Sequence, residues 1–197
     1  NTGSMQGLLK KGNKVWISKS NNPKRKLKYT LQIIETNNSK VGINTHLTNK
    51  IFLNAVKNNL FKDFNKNCII KPEIKFGKNT RFDFLITQKK FNALVEVKNV
   101  TLMRKSKIAE FPDAITTRGA KHLEELMKAS KKGYKIYIAF IIQREDCEEF
   151  VIATDIDQRY SLLLSKAVKK NLNVLCYDCK FSSKGIILNK KIRFRIK

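Results

Sequence analysis

The segment Thr80-Arg-Phe-Asp-Phe-Leu-Ile-Thr87, followed closely by Phe91-Asn-Ala-Leu-Val-Glu-Val-Lys98, constrains this chain most. Both runs are short, apolar and alternating, which is the pattern of β-strands. The short connection carries Lys89 and Lys90 and reads as a basic hairpin tip. Side chains two apart on a strand share a face. Phe82, Phe84 and Ile86 are therefore expected on one side, with Arg81, Asp83 and Leu85 on the other. Val95 and Val97 point one way, Glu96 and Lys98 the other. A tight hairpin brings Asp83, Glu96 and Lys98 together. Two carboxylates and an amine on one sheet are the minimum equipment for Mg²⁺-dependent phosphodiester hydrolysis. The plainer alternative is a weak ion pair between solvated strand charges. Glu73-Ile74-Lys75 repeats the Glu-x-Lys spacing, but its nearest upstream acid, Asp63, falls at the expected end of a helix.

Charge narrows the partner. The chain has 197 residues, 41 Lys+Arg and 16 Asp+Glu, a net charge of +25. That balance points first to a polyanion, and nucleic acid is the commonest. Codon bias in an A·T-rich coding sequence accounts for Lys over Arg but not for the shortage of acids. Hydrophobic content of 42% suffices for a packed core in one domain or two small ones. No apolar run approaches the ~20 residues of a membrane span. No signal peptide opens the chain, and Asn1 to Ser4 ahead of Met5 reads as a cloning scar, set aside from the fold. Cys68, Cys147, Cys176 and Cys179 do not suggest a disulfide framework. The lone Cys176-Tyr-Asp-Cys179 lacks the second pair that a structural zinc needs. A cytoplasmic setting is expected.

Along the chain, Lys14 to Ser20, Lys28 to Thr36 and Lys40 to Ile43 read as three strands separated by the basic turn Asn21 to Arg25 and the polar turn Asn37-Asn38-Ser39. They suggest a small OB-like β-barrel module. An amphipathic helix spans about Thr48 to Phe64, with Ile51, Phe52, Ala55, Val56, Leu60 and Phe64 as its stripe. Strands follow near 68–76, 80–87 and 91–98, then a charged loop from Arg104 to Lys107. A second helix runs about 119–132 and ends at Gly133. The apolar run 134–142 suits a buried strand. A third helix covers Asp157 to Lys170, burying Tyr160, Leu163, Leu164 and Val168. Short strands at 173–177, 186–188 and 192–196 should extend the sheet or cover an edge.

The order helix–strand–strand–strand–helix–strand, with Asp…Glu-x-Lys on the hairpin, resembles the PD-(D/E)xK nuclease superfamily. Longer strings sharpen the likeness: Asn22-Pro-Lys-Arg-Lys-Leu-Lys-Tyr-Thr30, Val41-Gly-Ile-Asn-Thr-His-Leu47, Glu96-Val-Lys-Asn-Val-Thr-Leu102, and Phe111-Pro-Asp-Ala-Ile-Thr-Thr-Arg-Gly-Ala-Lys-His-Leu123. These resemble the sugar fermentation stimulation protein A (SfsA) family, over nearly the whole chain from Gly7. Thr48 departs from the family, which usually has proline there. The resemblance implies a mixed α/β architecture: an N-terminal OB-like β-barrel over 5–46, with an alternative border at about 78, and a restriction-endonuclease-like αβββαβ core over 47–197. It also implies DNA binding, with a regulatory link to sugar metabolism in bacterial members.

Each candidate then has a role to test. Asp83 and Glu96, aided by the Val97 carbonyl, are hard oxygen ligands for Mg²⁺ or Mn²⁺. Lys98 would hold the attacking hydroxide or the scissile phosphate. Glu73 is a further or water-mediated ligand, and Gln143 a water-orienting group; both are otherwise ordinary strand-end polar residues. Phe111-Pro112-Asp113 follows Glu-x-Lys, so it is read as a loop that positions Thr116, Thr117 and Arg118. Those groups suit a phosphate at a helix start, against simple N-capping by Thr117. Lys121 and His122 lie in the same first turn, His122 equally readable as structural. Lys24, Arg25, Lys26 and Lys28, beside Tyr29, form a basic loop able to touch phosphate and stack a base. Trp16 is either a stacking platform or a core residue. The expected activity is metal-dependent cutting of nucleic acid, DNA first; the alternative is a non-catalytic DNA-binding regulator of sugar (maltose-type) metabolism genes.

Overall fold

The computed structural model describes residues 3–36, 39–77 and 79–196. The turn expected at Asn37-Asn38 lies outside the described residues. Strands β1 (Lys14–Lys19), β2 (Tyr29–Thr36) and β3 (Ser39–Gly42) form one antiparallel sheet. Helix α1 (Thr48–Lys57) leads into β4 (Ile69–Phe76), β5 (Thr80–Gln88) and β6 (Phe91–Val100). Then come β7 (Leu102–Lys105), β8 (Ile108–Phe111), α2 (Thr117–Ser130), β9 (Lys135–Ile142), β10 (Glu149–Ile152), α3 (Gln158–Val168), β11 (Leu172–Ser182), β12 (Gly185–Lys191) and β13 (Arg193–Arg195).

The central sheet has six strands in the order β12-β11-β9-β6-β5-β4. β9 runs parallel to both β6 and β11. This middle position buries both its faces and explains why 136–142 is apolar without alternation. Helix α1 covers one face, with Phe52 and Val56 packed among Phe84, Ile86, Val95 and Tyr137. Helices α2 and α3 cover the other, where Leu123, Leu126, Tyr160 and Leu164 meet Phe82, Leu94, Ile138 and Phe140. A second sheet, β13-β10-β8-β7, packs Ala109, Phe150 and Ile152 into this same cluster. The mixed α/β architecture read from the sequence is the one observed.

Three local expectations are corrected. Helix α1 stops at Lys57, short of 64, because Asn59 adopts a left-handed φ of 57°. Phe61 and Phe64 still return to the core without helical backbone, against Phe52 and Tyr137. The charged loop expected at Arg104 to Lys107 belongs instead to the β7–β8 hairpin. Arg104 hid that strand from a pattern reading; its guanidinium is taken up by Glu110 at 2.8 Å and Asp155 at 2.5 Å.

The third correction matters most. Phe82 packs on the α2 side, 6.2 Å from the His122 ring, while Phe84 packs on the α1 side, 5.3 Å from Phe52. The three residues expected to share a face do not. The alternation breaks at Asp83, opposite a left-handed Glu73 with φ 53°. The β5–β6 ladder ends there, its last pair being Phe84 with Val95.

The two sheets of the N-terminal and central parts are joined at β3. Gly42 N donates to Gln143 O at 2.9 Å, and Val41 bridges Arg144. A Cβ on Gly42 would stand 2.2 Å from Gln143 Oε1, so only glycine fits this approach. Cys176 and Cys179 are buried on opposite faces of the sheet, one in each apolar cluster, and so do not face a common ligand. Among the described residues no helix is long and apolar enough to cross a membrane.

Candidate functional site

The break in β5 creates the site. Where the ladder ends, the Asp83 side chain replaces a strand carbonyl: its Oδ2 accepts from Val97 N at 2.8 Å. Its Oδ1 accepts from Asn49 Nδ2 of α1, also at 2.8 Å. An extended residue directs its N–H and C=O toward the same edge. The Val97 carbonyl thus points to the side where β5 pairing has stopped, as a cation ligand there would need.

Glu96 is 4% exposed. Its Oε1 accepts from Lys98 Nζ at 2.6 Å and lies 2.5 Å from His122 Nδ1 of α2. Its Oε2 is buried with no hydrogen-bond partner among the described residues. Burial pushes the Glu96 carboxyl up, but the Lys98 charge and the His122 contact outweigh it and hold the group below its ordinary range. Asp83 moves the other way. Burial first, then the neighbouring Glu96 charge, raise it, and the bonds from Val97 and Asn49 do not offset them. The Lys98 charge also pulls Asp83 down, but by less than burial and the Glu96 charge push it up. Tyr160 of α3 closes the site from behind, its hydroxyl buried without a partner among the described residues and pushed up by burial and by the Glu96 charge.

Lys98 and Val97 open onto a cleft of about 320 Å³ with Asn49, Asn99 and Thr116 in its walls. Gly3 and Ser4, set aside on sequence grounds, lie at this cleft: Ser4 N donates to Asp113 Oδ2 at 2.8 Å.

The structure brings Asp83, Glu96, Val97 and Lys98 together and leaves other candidates apart. Glu73 is exposed on the edge strand and pairs with Arg81 at 2.8 Å. Gln143 is fully buried, with its amide nitrogen spent on Asn99 at 2.6 Å and Thr48 at 3.2 Å and its Oε1 without a partner among the described residues, so it sits at the sheet junction and reaches no cleft water. Thr116, not Thr117, caps α2, its hydroxyl accepting from Gly119 N at 3.1 Å. The Thr116 amide is itself held by Asp157 at 2.8 Å, which removes one donor from a phosphate site at that helix start. His122 is buried on Glu96. Arg118 and Lys121 line a separate, basic pocket. Lys24, Arg25, Lys26, Lys28 and Tyr29 are all exposed and line neither opening. Trp16 is 44% exposed, under the ammonium groups of Lys14 and Lys40.

Sequence reasoning missed Asn49 and Tyr160 and underrated His122. Only His122 left a signal: with Gly119, Leu123 and Leu126 it falls on the apolar stripe of α2, where an imidazole needs a buried partner. Among the described residues no three His, Cys, Asp or Glu side chains converge as a ligand set, so a cation here would draw on two carboxylates, a carbonyl and water.

A small N-terminal β module on an α/β/α restriction-endonuclease-like domain is the class that this fold and hairpin define. Comparison with known proteins agrees. Residues 1–43 match the SfsA N-terminal OB domain, and residues 46–185 the sugar fermentation stimulation protein RE domain. The chain belongs to the SfsA family. It is 53% identical to a sugar fermentation stimulation protein homolog of Pelagibacter ubique, over 98% of this chain and 83% of that protein. The homolog of Bartonella henselae is 42% identical over 94% of this chain and 80% of its own. The solved structure of Pyrococcus furiosus SfsA in complex with Ca²⁺ superposes with a TM-score of 0.90 at 26% identity, covering 100% of this chain and 84% of that one.

Proposed function

We propose that this protein is a divalent-metal-dependent phosphodiesterase acting on nucleic acid, DNA first, with Mg²⁺ or Mn²⁺ as the working cation. The observation that carries the reading is Glu96 Oε2, buried and unpartnered next to a second, partly buried carboxylate. Leaving such a group unsatisfied costs about 1–3 kcal/mol or more. A cation held by Glu96 and Asp83 would remove that penalty and the repulsion together. Asp83, Glu96 and the Val97 carbonyl would hold it, all hard oxygens. The Ca²⁺ of the Pyrococcus structure, another oxygen-seeking cation, supports a metal in this fold.

When bound, the cation would lower the pKa of a water and offset charge on the phosphoryl oxygens. The chain's own residues do the rest. Lys98, held by Glu96 and opening to the cleft, steadies the hydroxide or a phosphate oxygen. Asn49 and the Val97 amide aim Asp83, and His122 fixes the Glu96 rotamer. The +25 charge supports a polyanion partner. The exposed loop from Lys24 to Tyr29 would contact the backbone from the N-terminal module, bordered near 46.

A second reading, a non-catalytic DNA-binding regulator of sugar metabolism genes, draws on the relatives' name and on the absence of a third side-chain ligand among the described residues. Labelled single- and double-stranded DNA and RNA, incubated with Mg²⁺, Mn²⁺ or EDTA, separate the two. Metal-dependent cutting by wild type that is lost in Asp83→Asn, Glu96→Gln and Lys98→Ala is expected. Binding without cutting on every substrate overturns catalysis and favours the regulator.

A further inference from the structure

On the far side of the α2 start lies a second concavity of about 880 Å³. Five cationic side chains line it, Lys75, Arg81, Arg118, Lys121 and Arg159, against Glu124 and Glu125. They come from β4, β5, α2 and α3, so the fold, not a run of sequence, gathers them. Arg81 and Arg159 are engaged by Glu73 and Glu124, and Lys121 donates to the Asn79 carbonyl. Arg118 and Lys75 have no ion pair among the described residues. His122, 5% exposed, forms part of the wall. Its Nδ1 meets Glu96 on the side away from this pocket's lining. One imidazole thus separates the basic pocket from a proposed metal ligand.

The two openings flank the helix start: Thr116 lines the cleft with Lys98, and Thr117 lines the basic pocket. We infer that the basic pocket holds a phosphate flanking the scissile one on a single nucleic-acid strand, with Arg118 and Lys75 as the phosphate-contacting residues. A flexible single strand bends into a recess floored by a nearly buried histidine at less cost than a duplex, whose persistence length is about 150 bp. The inference rests on the phosphodiesterase reading only for the identity of the neighbouring phosphate.

The test measures binding of fluorescein-labelled dT15 in EDTA by anisotropy across a salt series, so that no cutting is needed. Arg118→Ala with Lys75→Ala should weaken binding about tenfold, the worth of one charge-assisted contact. It should also lower the slope of log K against log[salt] by about 0.7. Lys169→Ala with Lys170→Ala, just past the opposite end of α3 from Arg159, should change both far less, and thermal melts verify folding of both variants. An unchanged slope in the pocket variant, an equal loss in the α3 variant, or an equal loss on a 15-bp duplex overturns the proposal. Cutting assays with Mg²⁺ are read separately. Wild type that binds through Arg118 without cutting loses the catalytic reading and keeps the pocket. Wild type that cuts while the pocket variant binds normally keeps the catalytic reading and loses the pocket.

Discussion

Replacing Gly42 by alanine tests the junction that places the N-terminal module against the central sheet. Gly42 is not among the left-handed glycines, so the backbone accepts alanine and the smaller unfolded-state entropy alone would stabilise by about 0.4–1 kcal/mol. The contact works against it. The new methyl would lie 2.2 Å from Gln143 Oε1 and 3.1 Å from Ile186 Cδ1, about 1 Å inside ordinary contact at the oxygen. Gln143 is 0% exposed and cannot swing into solvent. Overpacking of this kind costs about 1–3 kcal/mol. Loss of the bonds to Asn99 and Thr48 adds about 0.5–1.5 kcal/mol each. The net expectation is a loss of about 1–6 kcal/mol in urea denaturation followed by circular dichroism. Gln143→Ala should cost a similar amount through the lost bonds and the cavity. The double variant should be less damaging than the sum by about 1–3 kcal/mol, because the methyl then enters vacated space. A Gly42→Ala protein within about 0.5 kcal/mol of wild type, or strict additivity, refutes the close-approach reasoning.

Other outcomes follow from the site and its surroundings. Adding Ca²⁺ or Mg²⁺ at about 100 times its Kd should stabilise wild type by about 2.7 kcal/mol, a rise in Tm of about 5–10 °C reversed by EDTA. Asp83→Asn should abolish the shift while remaining folded, since an amide oxygen still accepts from Val97 N; a retained shift in differential scanning fluorimetry places the metal elsewhere. His122→Ala should cut metal affinity about 10–100-fold, as other supports of metal ligands do, with His122→Asn recovering part of it by calorimetry; equal affinities would make His122 a packing residue only. Arg104→Met should destabilise by about 3–5 kcal/mol, because it strands the nearly buried Glu110. Hydrogen bonding from Arg104 holds the Glu110 carboxyl below its ordinary 4.5. A depressed folded-state pKa means that the unfolded chain binds the proton first. The stability gap between wild type and variant is therefore full above pH 4.5 and shrinks as pH falls through the folded value. A gap that widens on acidification would contradict the pairing.

The hairpin and the meeting of Asp83, Glu96 and Lys98 on it were readable because period-2 alternation and the Glu-x-Lys spacing are local. Helix α2 and strand β9 were likewise placed to within a few residues. What failed were features that depend on distant partners. The Phe82 and Phe84 faces depended on a left-handed Glu73 across the ladder. Strand β7 depended on Glu110 and Asp155 neutralising Arg104. The place of Gln143 depended on Gly42, a hundred residues earlier in the chain.

Sequence by itself determined the elements, the basic surplus and the acid–acid–amine hairpin, since propensity, charge and spacing are properties of neighbouring residues. Tertiary structure alone decided that Asp83 caps a broken ladder, that His122 and Asn49 serve the two carboxylates from opposite layers, and that cations from four elements share one pocket. The physical reason is burial: only folding strips the water from a carboxylate oxygen and withholds a hydrogen bond from it, as at Glu96 Oε2. No local pattern of residues encodes which atom is left in that state.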